Sequence, residues 1–443
     1  MSLLLTSSIT IAGILLGKFL FKKWFNHLTL YCLIMGGLVF FYELKLLPYP
    51  KLIPLTWFYL ISSFLAFLFG ILTFVAGKNL YSSRQLFLKK SAIFLPIFGD
   101  GGRAVKYCII FFSLIGLFVA IHRWLILINL FGSFPAVLIH AGIVYSLNVH
   151  KEIKGILPVF SSFVYVAIFF SGIYTAYRKR FSFLSFFPFI GIVLKELTYF
   201  GRGEILLSLM EFLFSFFLFR HLLNDDSSQR FKFSKRNAVI ASAILLSFLI
   251  SVASFIRISR GHYESFAGAS RSLNQLKENF IISPSVYLYV SSDVGVLNKY
   301  LQAGGENTGF GQNTFLIAYH FLARMGVMKD PSDFQKGYYI PMWTNTGTYI
   351  RELDADFGIT GVIAVPYFLG LLITWLWFKF FETKNMFAFL FLVYLYLFVG
   401  FSFLVMVTRL NQWYISLFII ALCLPLLEKI ATRKRIIEER QFA

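Results

Sequence analysis

The sequence predicts an all-α polytopic integral membrane protein with one large polar domain outside the bilayer. Three observations predict it. The chain has 443 residues of which 58% are hydrophobic and 14% charged, and its mean hydropathy of +0.73 lies far outside the soluble range. Apolar runs close to the roughly 20 residues that a helix needs to cross the hydrocarbon core recur along the chain, separated by short basic clusters. One long polar stretch, 257–356, interrupts that pattern and holds Arg257, Arg260, Arg271, Asp293, Arg324, Arg351, Asp354 and Asp356.

The elements follow in chain order. Leu3 to Phe21 is a first span, ending against Lys22 and Lys23; no basic residue precedes it, so a retained span is expected rather than a cleaved signal. Leu28 to Leu47 and Pro54 to Gly77 come next, followed by a connection with Lys78, Arg84, Lys89, Lys90, Arg103 and Lys106, a cytoplasmic signature. Tyr107 to His122 crosses outward, and the mildly apolar Leu125 to Val149 lies along the membrane or dips into it. Gly155 to Tyr177 returns and stops at Arg178, Lys179 and Arg180. Phe181 to Thr198 and Ile205 to Phe219 flank the knot Gly201–Glu204. Asn237 to Ile256 leads out to the polar segment. Phe357 to Phe378, Met386 to Val405 and Gln412 to Leu427 close the chain before a basic tail.

This gives about 11 spans, with short runs able to be re-entrant. The first eight fall in 1–256, the large extracytoplasmic loop is 257–356, and the last three with the tail fill 357–443. An outside amino terminus puts the basic clusters inside.

Composition also excludes several functions. The net charge of +20 sits in clusters between apolar runs, not in the stripe that a nucleic-acid binder gathers, so nucleic acid is not an expected partner. Cys32, Cys108 and Cys423 lie in apolar runs without CxxC spacing, which argues against a disulfide framework or a zinc or redox site. The 21 acidic residues do not cluster as a coordinating cage, so neither a metal nor a cofactor is expected. The FGDGGR stretch at Phe98–Arg103 lacks a GKS or GKT ending and reads as a loop turn, not a phosphate loop.

A polar domain facing outward on an apolar scaffold suits a lipid-linked substrate, anionic where its carrier is a phosphate or diphosphate. Arginine binds such oxygens through a planar fork and stays charged beside lipid. Arg202 sits between two glycines in the knot, and either reads a phosphate or snorkels while paired with Glu204 or Glu196. Arg257, Arg260 and Arg409 stand at span ends, where interfacial arginine is also common. On a helix, Arg351 and Asp354 share a face, as do Glu352 and Asp356. Asp356 also stands where an N-cap of the next span would stand. Asp354, Asp356 and His320 are the groups able to take a proton from a sugar hydroxyl; His320 shares a helical face with Arg324.

Together the residues resemble the Wzy-type O-antigen and capsule polymerases, which join oligosaccharide repeat units. Three places carry the resemblance: FGRGE at Phe200–Glu204, GQNTF at Gly311–Phe315, and TNTGTYIRELDADFGITG at Thr344–Gly361. It implies a GT-C-like helical architecture and a metal-independent glycosyl transfer between undecaprenyl-pyrophosphate-linked glycans at the outer face of a bacterial inner membrane. It further implies that Arg202, Arg324 and Arg351, with Arg257, Arg260 and Arg409, hold the leaving diphosphate. Asn313, Thr314, Asn345, Thr348 and Tyr349 would contact glycan, and Asp356, Asp354 or His320 would be the base. Membrane lipids and a chain-length regulator are the expected partners. An O-antigen ligase that passes glycan to lipid A core shares the layout, and a glycan flippase or transporter is the rival from another class.

Overall fold

The computed structural model describes residues 2–82, 95–150, 152–153, 158–224, 268–278, 284–333 and 335–441. The chain is mostly helical, with a single two-stranded hairpin, Tyr338–Tyr339 against Trp343–Thr344, among the described residues. Seven of the described helices are long and apolar enough to cross a membrane: Leu3–Phe21, Pro54–Lys78, Arg103–Phe131, Val159–Arg178, Gly203–Leu223, Tyr349–Thr383 and Asn411–Arg433. His27–Glu43 and Met386–Phe401 are shorter apolar helices. This is the composition of a multi-pass helical membrane protein. The expected span at Asn237–Ile256, with Arg257 and Arg260 beyond it, lies outside the described residues.

The chain divides into two compact units. The first comprises Met1–Leu88, Glu264–Lys379 and Leu395–Leu410, so the polar segment folds together with the earliest spans. Here the helices Pro54–Ser82 and Tyr349–Thr383 cross backbone to backbone. A Cβ on Gly70 would stand 2.0 Å from the Tyr367 carbonyl oxygen, and one on Gly370 would stand 2.3 Å from that of Phe67. Small residues permit that approach where lipid offers no hydrophobic drive for association. Asn298, buried on the helix Ser292–Gln302, ties that helix to the start of Pro54–Ser82. Its Oδ1 accepts from Ile53 N–H (2.9 Å) and Thr56 hydroxyl (2.8 Å), and its Nδ2 donates to the Lys51 carbonyl (3.2 Å).

The helix expected from Phe357 begins instead at Tyr349. Its first turns are anchored from inside, since Tyr349 N–H donates to the Ser402 carbonyl (2.8 Å) and its hydroxyl meets those of Tyr31 (2.9 Å) and Ser63 (2.8 Å). The helix then breaks at Gly358, with φ 64° and ψ −158°, a region essentially closed to residues with a Cβ. Asp354 and Asp356 lie on the turns just before that break.

The second unit comprises Lys89–Tyr263, Phe380–Tyr394 and Asn411–Ala443. Its helices Arg103–Phe131, Pro158–Arg178, Phe183–Tyr199, Gly203–Asn224 and Asn411–Gln441 pack on one another. The span expected to stop at His122 runs on to Phe131. Arg123 explains the difference: it is buried, bonds the Asn148 side chain and lies over the Tyr199 ring at 4.7 Å. A cation so matched does not end a helix. Gly132 does, with φ 85°, and two short helices, Phe134–Ile139 and Ala141–Val149, follow.

Candidate functional site

The site grows from the buried turn before Gly358. Asp356, 5% exposed, accepts from Thr308 Oγ1 (2.8 Å), from Asn313 N–H and Nδ2 (both 2.8 Å), and from Thr314 N–H (2.7 Å) and Oγ1 (2.8 Å). This carboxylate caps the turn of another loop, not its own helix. A carboxylate accepting so many donors is fixed in place and holds their loop against it.

Two arginines support it from behind. Arg409 donates to Asn313 Oδ1, pairs with Glu352 at 3.4 Å, and reaches the Asp333 carbonyl at 2.9 Å. Glu352 in turn accepts from Met406 N–H and from Gln335. Arg351, 2% exposed, donates to the Lys336 carbonyl (2.7 Å), pairs with Glu306 (3.5 Å) and lies over the rings of Tyr300 and Tyr338. Arg351 and Asp354 share a helical face, as do Glu352 and Asp356, and each of these side chains finds its partners far off in the sequence.

Asp354 is half-buried and accepts from the hydroxyls of Tyr59 and Tyr300, both at 2.9 Å. Burial holds the Tyr300 phenol above its ordinary pKa, so it keeps the proton that it gives to Asp354. A cleft of about 750 Å³ opens here, lined by Glu306, Asp354 and Asp356, by the turn Gly304–Gly305, and by the rings of Phe310 and Phe357. The two rings meet edge to face with centroids 4.9 Å apart. Acidic acceptors beside aromatic faces can orient a polyhydroxylated ligand. Among the described residues no group of His, Cys, Asp and Glu is arranged to hold a metal ion.

The other candidates are distributed as follows. His320 turns its two ring nitrogens to Asp330 (2.6 Å) and Asp333 (2.9 Å), while Arg324 and Asn345 are exposed. Thr348 and Tyr349 are buried, and neither lines the cleft. Arg202 and its knot belong to the second unit. There Glu204 takes Lys195 as its ion partner and accepts from Tyr165 (2.9 Å) and Gln412 (2.9 Å). The Glu196 carboxylate lies against Gly201, where a Cβ would meet it at 2.7 Å.

Sequence reasoning missed Tyr59, Tyr300, Glu306 and Thr308. Tyr59 carries no signal inside an apolar run; Glu306 follows two glycines of positive φ, the mark of a tight turn that the local AGGEN pattern does contain.

In the sequence Asp293 is one charge among those of the polar segment. It is fully buried, accepts from Thr346 Oγ1 at 2.7 Å, and its Oδ2 has no hydrogen-bond partner among the described residues. Burial raises its pKa from 3.8 to about 8, against the opposing Thr346 bond. Its proton is therefore retained on folding, and stability contributed this way is complete below the unfolded value and lost as pH rises to about 8. Resistance to thermal unfolding of the detergent-solubilised protein is expected to fall as pH rises between those values, by about 1.4 kcal/mol per pH unit at the steepest. Asp293→Asn should flatten that slope; an unaltered slope would show that the group is not responsible.

No family model, no curated protein and no solved structure matches the chain.

Proposed function

We propose that the chain is a glycosyltransferase that joins lipid-linked oligosaccharide repeat units at the outer face of a bacterial cytoplasmic membrane, as the polymerases it resembles do. The observation that carries the reading is the cleft at the Gly358 break, with carboxylates and phenyl rings on its walls. In this reading the spans number about 11 and the amino terminus lies outside, which puts the cleft on the extracytoplasmic side.

Asp354 is the proposed base. Tyr59 and Tyr300 orient it, and it takes the proton of an acceptor-sugar hydroxyl as that oxygen bonds the donor's anomeric carbon. The bond from that carbon to the diphosphate oxygen breaks, and the diphosphate leaves with the electron pair. Asp356, saturated by donors, positions the loop 308–314. Arg324, exposed on its helix, is a cation of this unit that can be offered to the leaving diphosphate. Arg351 and Arg409 are committed to Glu306 and Glu352 and shape the cleft.

The test is a gel of surface glycan from a deletion strain complemented with the wild-type or Asp354→Asn gene. Single repeat units are expected to persist in the variant, with polymer reduced by roughly 10²–10⁴-fold, the usual contribution of a general base. Polymer of ordinary length at ordinary protein level would remove the assignment. Uncapped lipid A core in the deletion strain would indicate a ligase.

A specific observation favours a second reading. The second unit holds the Lys195–Glu204 pair and the buried Glu211, which meets the Tyr394 hydroxyl at 3.1 Å, on apolar helices. Ionisable groups at that depth mark transport pathways in membrane proteins. Lipid-linked single units accumulating on the cytoplasmic side of the deletion strain would select this flippase reading.

A further inference from the structure

The helix Leu316–Arg324 is built inside out. In the helix Arg271–Glu278 of the same unit, Leu273 is buried while Asn274, Gln275 and Lys277 face outward, the ordinary arrangement for a surface helix. In Leu316–Arg324 the outward positions are Ala318, Phe321, Leu322 and Arg324, and the three apolar ones, continued by Met325, keep the i, i+3, i+4, i+7 spacing of one helical face. Phe321 is 64% exposed and Met325 61%, and Val327 just beyond is 66%. The opposite side holds the buried Leu316 and the His320 ring with its two aspartates.

An outward apolar face of this extent marks a contact with lipid or protein. We propose that it lies in the phospholipid leaflet on the side of the membrane that carries the polar segment, at headgroup depth with its rings among the upper acyl chains. Three features of the same unit specify lipid. Arg324 and Lys329 are exposed cations beside the apolar face, matching phosphate above acyl chain, with long stems that run along apolar surface. Asp330 and Asp333 meet the His320 ring on the other side of the helix. Tyr339 and Trp343, 73% and 64% exposed on the hairpin, are the residue types of membrane-interface belts. The unit is also anchored at a span, Tyr349–Thr383, so the helix is tethered near the bilayer. The exposed Phe310, on the cleft wall, is tied to this helix by the Tyr319 hydroxyl, which donates to its carbonyl at 2.6 Å, and this sets the mouth of the cleft at the level of lipid headgroups. The inference holds whether or not the cleft transfers sugars.

The test places a photoreactive benzoylphenylalanine at Phe321 or Met325 of the full-length chain in intact membranes, with Gln275 as the control position. After illumination, purified protein is weighed intact. The expected result is a phospholipid adduct at both positions, severalfold more abundant than at Gln275. A crosslink to another polypeptide or to a second copy, or lipid capture no higher than at Gln275, would overturn the proposal. A doubly labelled set at Val327 and Tyr339 keeps the question open to decision if either helical substitution fails to accumulate.

Discussion

Asp356→Ala is expected to lower the stability of the first unit by about 3 kcal/mol or more and to release the loop 308–314. The carboxylate receives donors from Thr308, Asn313 and Thr314 within 2.7–2.8 Å. A hydrogen bond to a charged acceptor is worth about 1.5–3 kcal/mol, so even with water replacing some partners the loss is large. Asp356→Asn tests charge against shape. One oxygen remains, but the new amide nitrogen turns donors toward donors, so most of the loss should persist. Thermal unfolding in detergent and limited proteolysis across 308–314 read the two effects separately. An unchanged midpoint with an uncut loop would mean that this carboxylate is no anchor.

That anchor shows how far the sequence is legible. The runs GQNTF and DADFG stand out by composition, yet nothing in either says that Asn313 and Thr314 close on Asp356. Helical spacing reports which side chains share a face, as Arg351 does with Asp354 and Glu352 with Asp356. It does not report what a face meets. Arg351, Glu352 and Asp354 meet Glu306, Arg409 and Tyr59, and a partner distant in sequence has no signature in local spacing. The helical membrane class was legible because hydropathy is a sum over many residues. The end of the helix at Phe131 was not, because a buried Arg123 matched by Asn148 and Tyr199 looks, in sequence, like an arginine at a membrane boundary. The same limit applies at Arg409, which reads as an interfacial residue and is instead buried against Glu352.

Arg409→Ala is the second large expected effect. The guanidinium and Glu352 have side chains 4% and 1% exposed and stand 3.4 Å apart, so removing one leaves the other charge buried without its counter-ion, at a cost of about 3–5 kcal/mol. Glu352→Gln should cost less, because the amide oxygen still accepts from Met406 N–H. If the pair acts as a unit, the double variant Glu352→Gln/Arg409→Ala will be more stable than the sum of the single losses predicts, by about 0.5–3 kcal/mol. Arg409 also donates to Asn313, and Asn313 donates to Asp356, so its loss should loosen the same loop that Asp356→Ala releases. Combining Arg409→Ala with Asp356→Ala then adds little further proteolytic cleavage at 308–314. Fully additive cleavage and stability changes in both double variants would show that the arginine and the carboxylates act independently, and that the cleft wall is not one connected structure.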